Sequence, residues 1–314
     1  MSNRDIIEGP AVVEYNSFLY YTEGNITITP DLKLREMSSS YFGPGDQRVT
    51  DKMFSVQFTP IGMMDGNKAK YFPFTVADLG KLVAPSVDLP VYIWAANGQK
   101  ITLPAGVITQ SPQLILGVDK GPMGQMTISC LGDISKADAA ADAHYTIATA
   151  AVAAHTLDWD KAPTPAYKAT LALIADPYTP TVLDGMDGFV FDVAASFTPR
   201  GCNRYGTVNY KLSGFNPVVT FKPAYQTEAA MLALLNIQGA SAAKLGGSHK
   251  LGQSLTIEPA EDDAKGITIE FPDVVIKSGS MIFGADDPRH GDYAFVPAYT
   301  SGSNLFDITF PSWA

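Results

Sequence analysis

Along several short stretches of this chain apolar and polar residues alternate with the period of two that a half-buried strand requires. Asn25-Ile26-Thr27-Ile28-Thr29 and Phe54-Ser55-Val56-Gln57-Phe58 read this way, as do Val208-Asn209-Tyr210-Lys211-Leu212 and Val218-Val219-Thr220-Phe221. Val91-Tyr92-Ile93-Trp94 and Lys100-Ile101-Thr102-Leu103 flank Asn97-Gly98, a pair that takes the positive φ angles of a tight turn, so a hairpin is expected there. Two stretches follow the helical period instead. In Thr75–Val83 the residues Val76, Leu79, Leu82 and Val83 share one face, with Thr75 placed as N-cap. Thr227–Leu235 is apolar nearly all round and predicts a more buried helix. The Ala-rich stretch 135–178 predicts a strand or short helix containing Thr146–Val152, a linker broken by Pro163 and Pro165, and an entry strand Tyr167–Ala172.

The same landmarks occur twice. Gly117-Val118-Asp119-Lys120-Gly121-Pro122-Met123-Gly124 returns as Gly284-Ala285-Asp286-Asp287-Pro288-Arg289-His290-Gly291. Each octet follows an Ile-Thr run (Ile101-Thr102, Ile267-Thr268) and an apolar triplet (Leu114-Ile115-Leu116, Met281-Ile282-Phe283). Gly24 pairs with Gly188 and Phe58-Thr59-Pro60 with Phe221-Lys222-Pro223 at nearly the same spacing, while the two helix-like stretches pair at a smaller one, a difference that loops absorb. The chain reads as a tandem duplication with domains at 1–160 and 165–314. A period this long excludes a solenoid.

Composition adds that the two units are alike. The 314 residues carry a formal charge of −10, and either side of Pro165 the balance is 12 − 17 = −5 and 10 − 15 = −5. Neither half is a basic nucleic-acid module. The N-terminus MSNRDIIEGP has no apolar core of signal-peptide length and no run approaches a membrane span, so a soluble protein made in a cytosol is expected. Cys130 and Cys202 fall at non-equivalent points and read as incidental thiols rather than a disulfide framework.

Catalytic signatures do not emerge. His144, His155, His249 and His290 form no metal-ligand spacing, and there is neither a Gly-x-Ser-x-Gly elbow nor a phosphate-binding Gly-rich loop. Asp286-Asp287-Pro288-Arg289-His290-Gly291-Asp292 resembles a calcium loop only until its twin is compared, where Lys120 stands at the second acidic position. The shared feature is the turn. Glu261-Asp262-Asp263 reads as a solvated loop. No enzyme, cofactor or metal is expected.

The first sixty residues carry a family resemblance. Gly9-Pro10-Ala11-Val12-Val13-Glu14-Tyr15, Tyr21–Pro30, Phe42–Asp51 and Phe58-Thr59-Pro60-Ile61-Gly62 resemble the N-terminal part of bacteriophage tail tube proteins. The resemblance implies a mainly β fold, here two tandem β-sandwich or barrel domains of the tail-tube type, each with one flanking helix. It also implies hexameric rings whose inner strands make a continuous barrel around the DNA channel. With two domains per chain, homotrimeric rings stacked head-to-tail would supply six similar positions. Such a protein would be a virion tail component assembled in the bacterial host cytoplasm, with itself, tape-measure, tail terminator and distal tail proteins as partners. Phage DNA would pass during genome ejection without sequence-specific binding, no membrane would be involved, and pairing round the ring would remove exposed sheet edges. An acidic lumen would let DNA slide, where basic side chains would hold it by counterion release.

Within that picture the stretch Ser38–Thr50 is expected to be a long loop reaching the next ring, with Tyr41, Phe42, Asp46 and Arg48 as contact residues, aromatic and charged as interface anchors are. The corresponding Arg200–Gly206 loop is expected to be shorter, so that the two domains contact the next ring unequally. Two other readings stay open. One is a distal tail or baseplate-hub protein of the same fold. The other is a carbohydrate-binding or adhesive β-sandwich using Trp94, Tyr293, Tyr299 and Trp313.

Overall fold

The structure is a computed structural model that describes residues 11–39, 43–61, 68–85, 89–96, 98–117, 123–131, 146–149, 167–173, 176–202, 206–224, 253–261, 266–280, 291–299 and 304–310. The described residues are mainly β, built from antiparallel sheets with almost no helix among them. In chain order the first half supplies β1 (Ala11–Tyr15), β2 (Phe18–Tyr20), β3 (Thr22–Ser39), β4 (Gly43–Pro60), β5 (Val91–Ala95), β6 (Gln99–Leu103), β7 (Gly106–Gln110), β8 (Leu114–Leu116), β9 (Met126–Cys130) and β10 (Thr146–Thr149). The second half supplies β11 (Tyr167–Leu173), β12 (Asp176–Cys202), β13 (Gly206–Pro223), β14 (Gln253–Pro259), β15 (Thr268–Phe271), β16 (Val274–Ser278), β17 (Tyr293–Pro297) and β18 (Asp307–Thr309). Alternation does what the pleat demands, as in β5, where Val91, Ile93 and Ala95 point into the core.

Both halves use the same strand orders. In the first, β10-β6-β5-β1-β2 forms one sheet and β3-β4-β9-β7 another; in the second, β18-β15-β14-β11-β12 and β12-β13-β17-β16 repeat them, with the long β12 taking part in both. Side chains at matching rows match in kind: Val13, Ile93, Ile101 and Ile147 stand opposite one another across β1, β5, β6 and β10, and Ala169, Ile257, Ile269 and Ile308 across β11, β14, β15 and β18.

The long hairpins coincide residue for residue. Every β3–β4 pair from Thr27↔Gln57 to Ser39↔Gly43 has its counterpart in β12–β13, from Val190↔Thr220 to Cys202↔Gly206, shifted by 163 positions (190 − 27 and 206 − 43). The register slips occur at the same places: Lys33/Leu34 and Met37/Ser38 in one, Ser196/Phe197 and Arg200/Gly201 in the other. Gly24 and Gly188 both have positive φ, +73° and +83°, beside the first irregularity of each hairpin. Glycine adopts that conformation at no steric cost. The octets are closed alike as well: the N–H of Gly124 donates to the Gln113 carbonyl at 2.8 Å and that of Gly291 to the Ser280 carbonyl at 2.9 Å.

Several expectations change in detail. The Asn97-Gly98 hairpin is present as β5–β6, with Gly98 at φ +82°, and β10 and β11 take the strand alternatives of the Ala-rich join. Thr75–Val83 is not one helix. Only Val76–Asp78 forms a 3-10 turn, after a four-residue helix α1 at Lys68–Tyr71. Thr75 does sit at its N-cap, donating its N–H to the Asp78 carboxylate at 3.0 Å. The helix stops because Gly80 takes φ +81° and the N–H groups of Gly80 and Val83 bond to β13, while that of Lys81 still reaches back to the Asp78 carbonyl. The helical stretch expected at Thr227–Leu235, most of the two octets and all four histidines lie outside the described residues.

The halves share one apolar core. β8 of the first half pairs with β12 of the second, Leu116↔Phe189 and Leu114↔Phe191, and these four side chains are fully buried. At about 1.5–3 kcal/mol for each large apolar side chain removed from water, this seam is a substantial part of the fold. Phe72 and Phe191 meet across it, with ring centroids 5.9 Å apart.

Candidate self-assembly surface

Past the core, each long hairpin continues as an arm. A lone two-stranded ribbon is marginally stable in water, so each arm needs something to lie against. The second arm has it within the chain. Along β13, the N–H of Leu212 donates to the Lys81 carbonyl, and the N–H groups of Gly80 and Val83 donate to the carbonyls of Leu212 and Tyr210, at 2.8–3.1 Å. An isolated antiparallel bridge Leu82↔Lys211 lies between these bonds, so Gly80–Val83 of the first half runs along the edge of β13. Leu212 is fully buried, and Phe197 packs edge-on to Phe74 at 5.5 Å.

Asp51, on β4, holds the tip of this second arm. Its carboxylate accepts the Thr207 N–H at 2.8 Å and the Thr207 hydroxyl at 2.6 Å, and the Lys33 ammonium lies 3.1 Å away. Burial pushes this carboxyl up, but the two bonds from Thr207 and the Lys33 charge outweigh it and hold it below the usual carboxylate range. Nearby, the Tyr210 hydroxyl reaches the Met53 sulfur at 3.2 Å.

Beyond Asp51 and Met53, which the tip of the second arm meets, the first arm has no such cover among the described residues. Leu32, Leu34, Met37 and Val49 are 49%, 52%, 43% and 47% exposed. β9 pairs with β4 only from Phe54 to Phe58, and among the described residues no strand lies along Val49 on that side. The contrast is sharpest at matching positions: Leu34 and Val49 face each other where the second arm has Phe197 and Leu212. It recurs at the glycines. A methyl group on Gly188 would meet the Leu116 carbonyl oxygen at 2.2 Å, whereas one on Gly24 would meet nothing within 4 Å.

No family model and no curated protein matches this chain. The functional reading therefore rests on the chain's own geometry.

Of the contact residues expected from sequence, Tyr41 and Phe42 lie outside the described residues, as does Trp313. Asp46 and Arg48 fall on β4, opposite Met37 and Arg35. The stretch Ser38–Thr50 is thus mostly strand, not a long loop, because β3 and β4 stay paired up to Ser39↔Gly43. Nor is the second connection shorter: Ser39 to Gly43 and Cys202 to Gly206 have equal spans. What sequence reasoning missed was the exposed apolar row along the first arm and the anchor Asp51. Sliding the chain by 163 positions would have set Leu34 and Val49 beside Phe197 and Leu212 and shown which arm is dressed for burial.

Elsewhere the Lys68 hydrogen bond holds the exposed Asp307 carboxyl below its ordinary value, and the groups pushed up are tyrosines and a cysteine raised by burial. Burial pushes the Cys130 thiol and the Tyr15 hydroxyl up to about 12, and the Tyr15 hydroxyl donates to the Gly106 carbonyl at 2.8 Å. A cavity of about 260 Å³ at the seam is lined by Phe74, Val76, Phe215, Tyr299 and Phe306, with Lys68 at its edge. Among the described residues no group of three His, Cys, Asp or Glu is placed to hold a metal, and no helix is long and apolar enough to cross a membrane. The aromatics considered for glycan binding do not gather: Tyr293 is buried, Trp94 donates to Glu14 at 2.8 Å under the Lys100 ammonium, and Tyr299 is exposed.

Proposed function

We propose that this protein is a structural subunit of a bacteriophage tail tube, the conduit for DNA ejection, with two tandem tail-tube-type domains at about 1–160 and 165–314. The observation that carries the reading is the pair of register-matched hairpins, one docked on the other half of its own chain and one left open. A unit made of two like halves with one matched contact used and one unused is suited to adding copies head-to-tail. Three copies then supply six similar positions round a ring, and rings stack along an axis. The β8–β12 pairing supports this arrangement, since it sets β3-β4-β9-β7 beside β12-β13-β17-β16 and leaves β3 at an outer edge. Continued round a ring, such a surface would have no free edge. The sequence resemblance of the first sixty residues points the same way.

The charge of −10 suits a channel that DNA slides through without being held. Tape-measure, terminator and distal tail proteins would meet the ends of the stack, and the Tyr41, Phe42, Asp46 and Arg48 region at the first arm's tip would contact the next ring. Electron microscopy of the purified protein, with native mass spectrometry of the smallest closed species, tests this. Hollow tubes built of three-chain rings are expected. Isolated rings that never stack would favour a capping tail component, and a monomer at all concentrations would overturn the proposal.

A further inference from the structure

We infer that the interface between two copies of this chain repeats the interface between its two halves: the first arm and the β3 edge of one copy dock on the second half of another, with Leu34 and Val49 as the buried pair. The inference rests on the self-assembly reading above, but its content comes from the internal match. The second arm shows how an arm of this register is covered. There, the other half lays the extended segment Gly80–Val83 along Tyr210–Leu212, Leu212 is buried, and Phe74 packs on Phe197. At the matching positions of the first arm stand Val49 and Leu34, both apolar and about half exposed. The edge strand tells the same story. β12 receives β8 alongside Gly188, while β3 at Gly24 has open space where that strand would run.

The chemistry of this second contact differs from the first in a definite way. Asp51, which anchors the second arm's tip, has Gly214 as its counterpart, and Thr207, whose N–H and hydroxyl it accepts, has Pro44. Proline has no N–H to give and glycine no carboxylate. The contact between copies therefore lacks the charged anchor and relies on apolar burial along the arm, with Leu32, two residues from Leu34 on β3, adding to the same exposed row. Association through such a contact becomes more populated as protein concentration rises and resists salt, since screening acts on exposed charges.

Cross-linking at matched positions tests the geometry. Within the chain Tyr210 touches Met53; the corresponding residues are Gln47 and Asn216, both exposed. In the full chain carrying Cys202→Ser, Gln47→Cys on one copy and Asn216→Cys on another should be joined by a short bismaleimide, giving a covalent dimer only when the two singly substituted chains are mixed. Leu34→Asp with Val49→Asp should leave thermal unfolding unchanged and raise the concentration needed for association about 30-fold or more. Copies that associate without the Gln47–Asn216 cross-link, or a double aspartate variant that folds and associates at the parent's concentration, would overturn the inference. If the aspartate variant does not fold, the cross-link decides alone. Cross-linked copies that form neither rings nor tubes would retire the tail-tube reading and leave this interface standing, whereas tubes without the cross-link would do the reverse.

Discussion

The two arms are built on one register and differ in what covers them. Where the second has Ser196, Thr198 and Pro199, the first has Lys33, Arg35 and Glu36; where the second has Phe215, the first has Lys52. The covered arm places Phe197, Tyr210, Leu212 and Phe215 against the rest of the chain, whereas the open arm intersperses Leu32, Leu34, Met37 and Val49 with charges. Charged side chains on an open edge discourage indiscriminate strand pairing. Two hairpins can thus share a register to the residue and still differ in side-chain burial, because the side chains follow the neighbour and not the strand.

The largest contrast should come from the paired glycines. Gly188→Ala combines a left-handed backbone with a methyl group driven into the Leu116 carbonyl, so a loss of about 3–4 kcal/mol is expected in denaturant unfolding. Gly24→Ala carries only the backbone strain, about 1–2 kcal/mol. Equal losses at the two sites would mean that β8 does not discriminate between the hairpins.

Next come the matched apolar residues. Leu212→Ala should cost about 2–3 kcal/mol in the isolated chain because it empties a filled site. Val49→Ala should stay within about 0.5 kcal/mol there, as surface substitutions do. A comparable loss at Val49, measured under conditions where the protein is monomeric, would show the first arm to be covered already.

Asp51 gives a pH-dependent contrast. Its folded carboxyl titrates below its unfolded value of about 3.9. The stability it contributes is therefore complete above that value and lost as pH falls through the lower folded value. Asp51→Asn should destabilise the chain at neutral pH by about 1.5–2 kcal/mol, in keeping with hydrogen bonds to a charged group, and should flatten the acid limb of the stability profile. An unchanged acid limb would remove Asp51 as the anchor. The smallest effect belongs to Lys33, whose side chain is half exposed: Lys33→Ala should move stability by less than about 0.5 kcal/mol.

Much of this architecture was legible in the residues. Ile26, Ile28, Val56 and Phe58 alternate because one face of their strands is buried, and Gly24 and Gly188 announced the matching irregularities because few other residues accept positive φ. The hairpin tips misled, since Gly43-Pro44-Gly45 has loop composition yet remains paired as strand. Thr75–Val83 misled for a different reason. Its helical pattern is real, but the Leu212 carbonyl and N–H and the Tyr210 carbonyl take the backbone of Gly80–Val83 for a sheet contact, a competition no local pattern records. The candidate surface was less legible: the sequence pointed to the tip of the first arm, while Leu34 and Val49 gain meaning only beside Phe197 and Leu212.

The joining of two like halves in one chain has a kinetic consequence. Docking of the second arm is intramolecular, at an effective concentration of order millimolar for a flexible tether, so it is complete however dilute the protein. The proposed contact between copies would have no tether and would obey mass action. In such an assembly half of the contacts would be preset before copies meet, and protein concentration would control only the remainder, so growth would be gated by encounters between finished units.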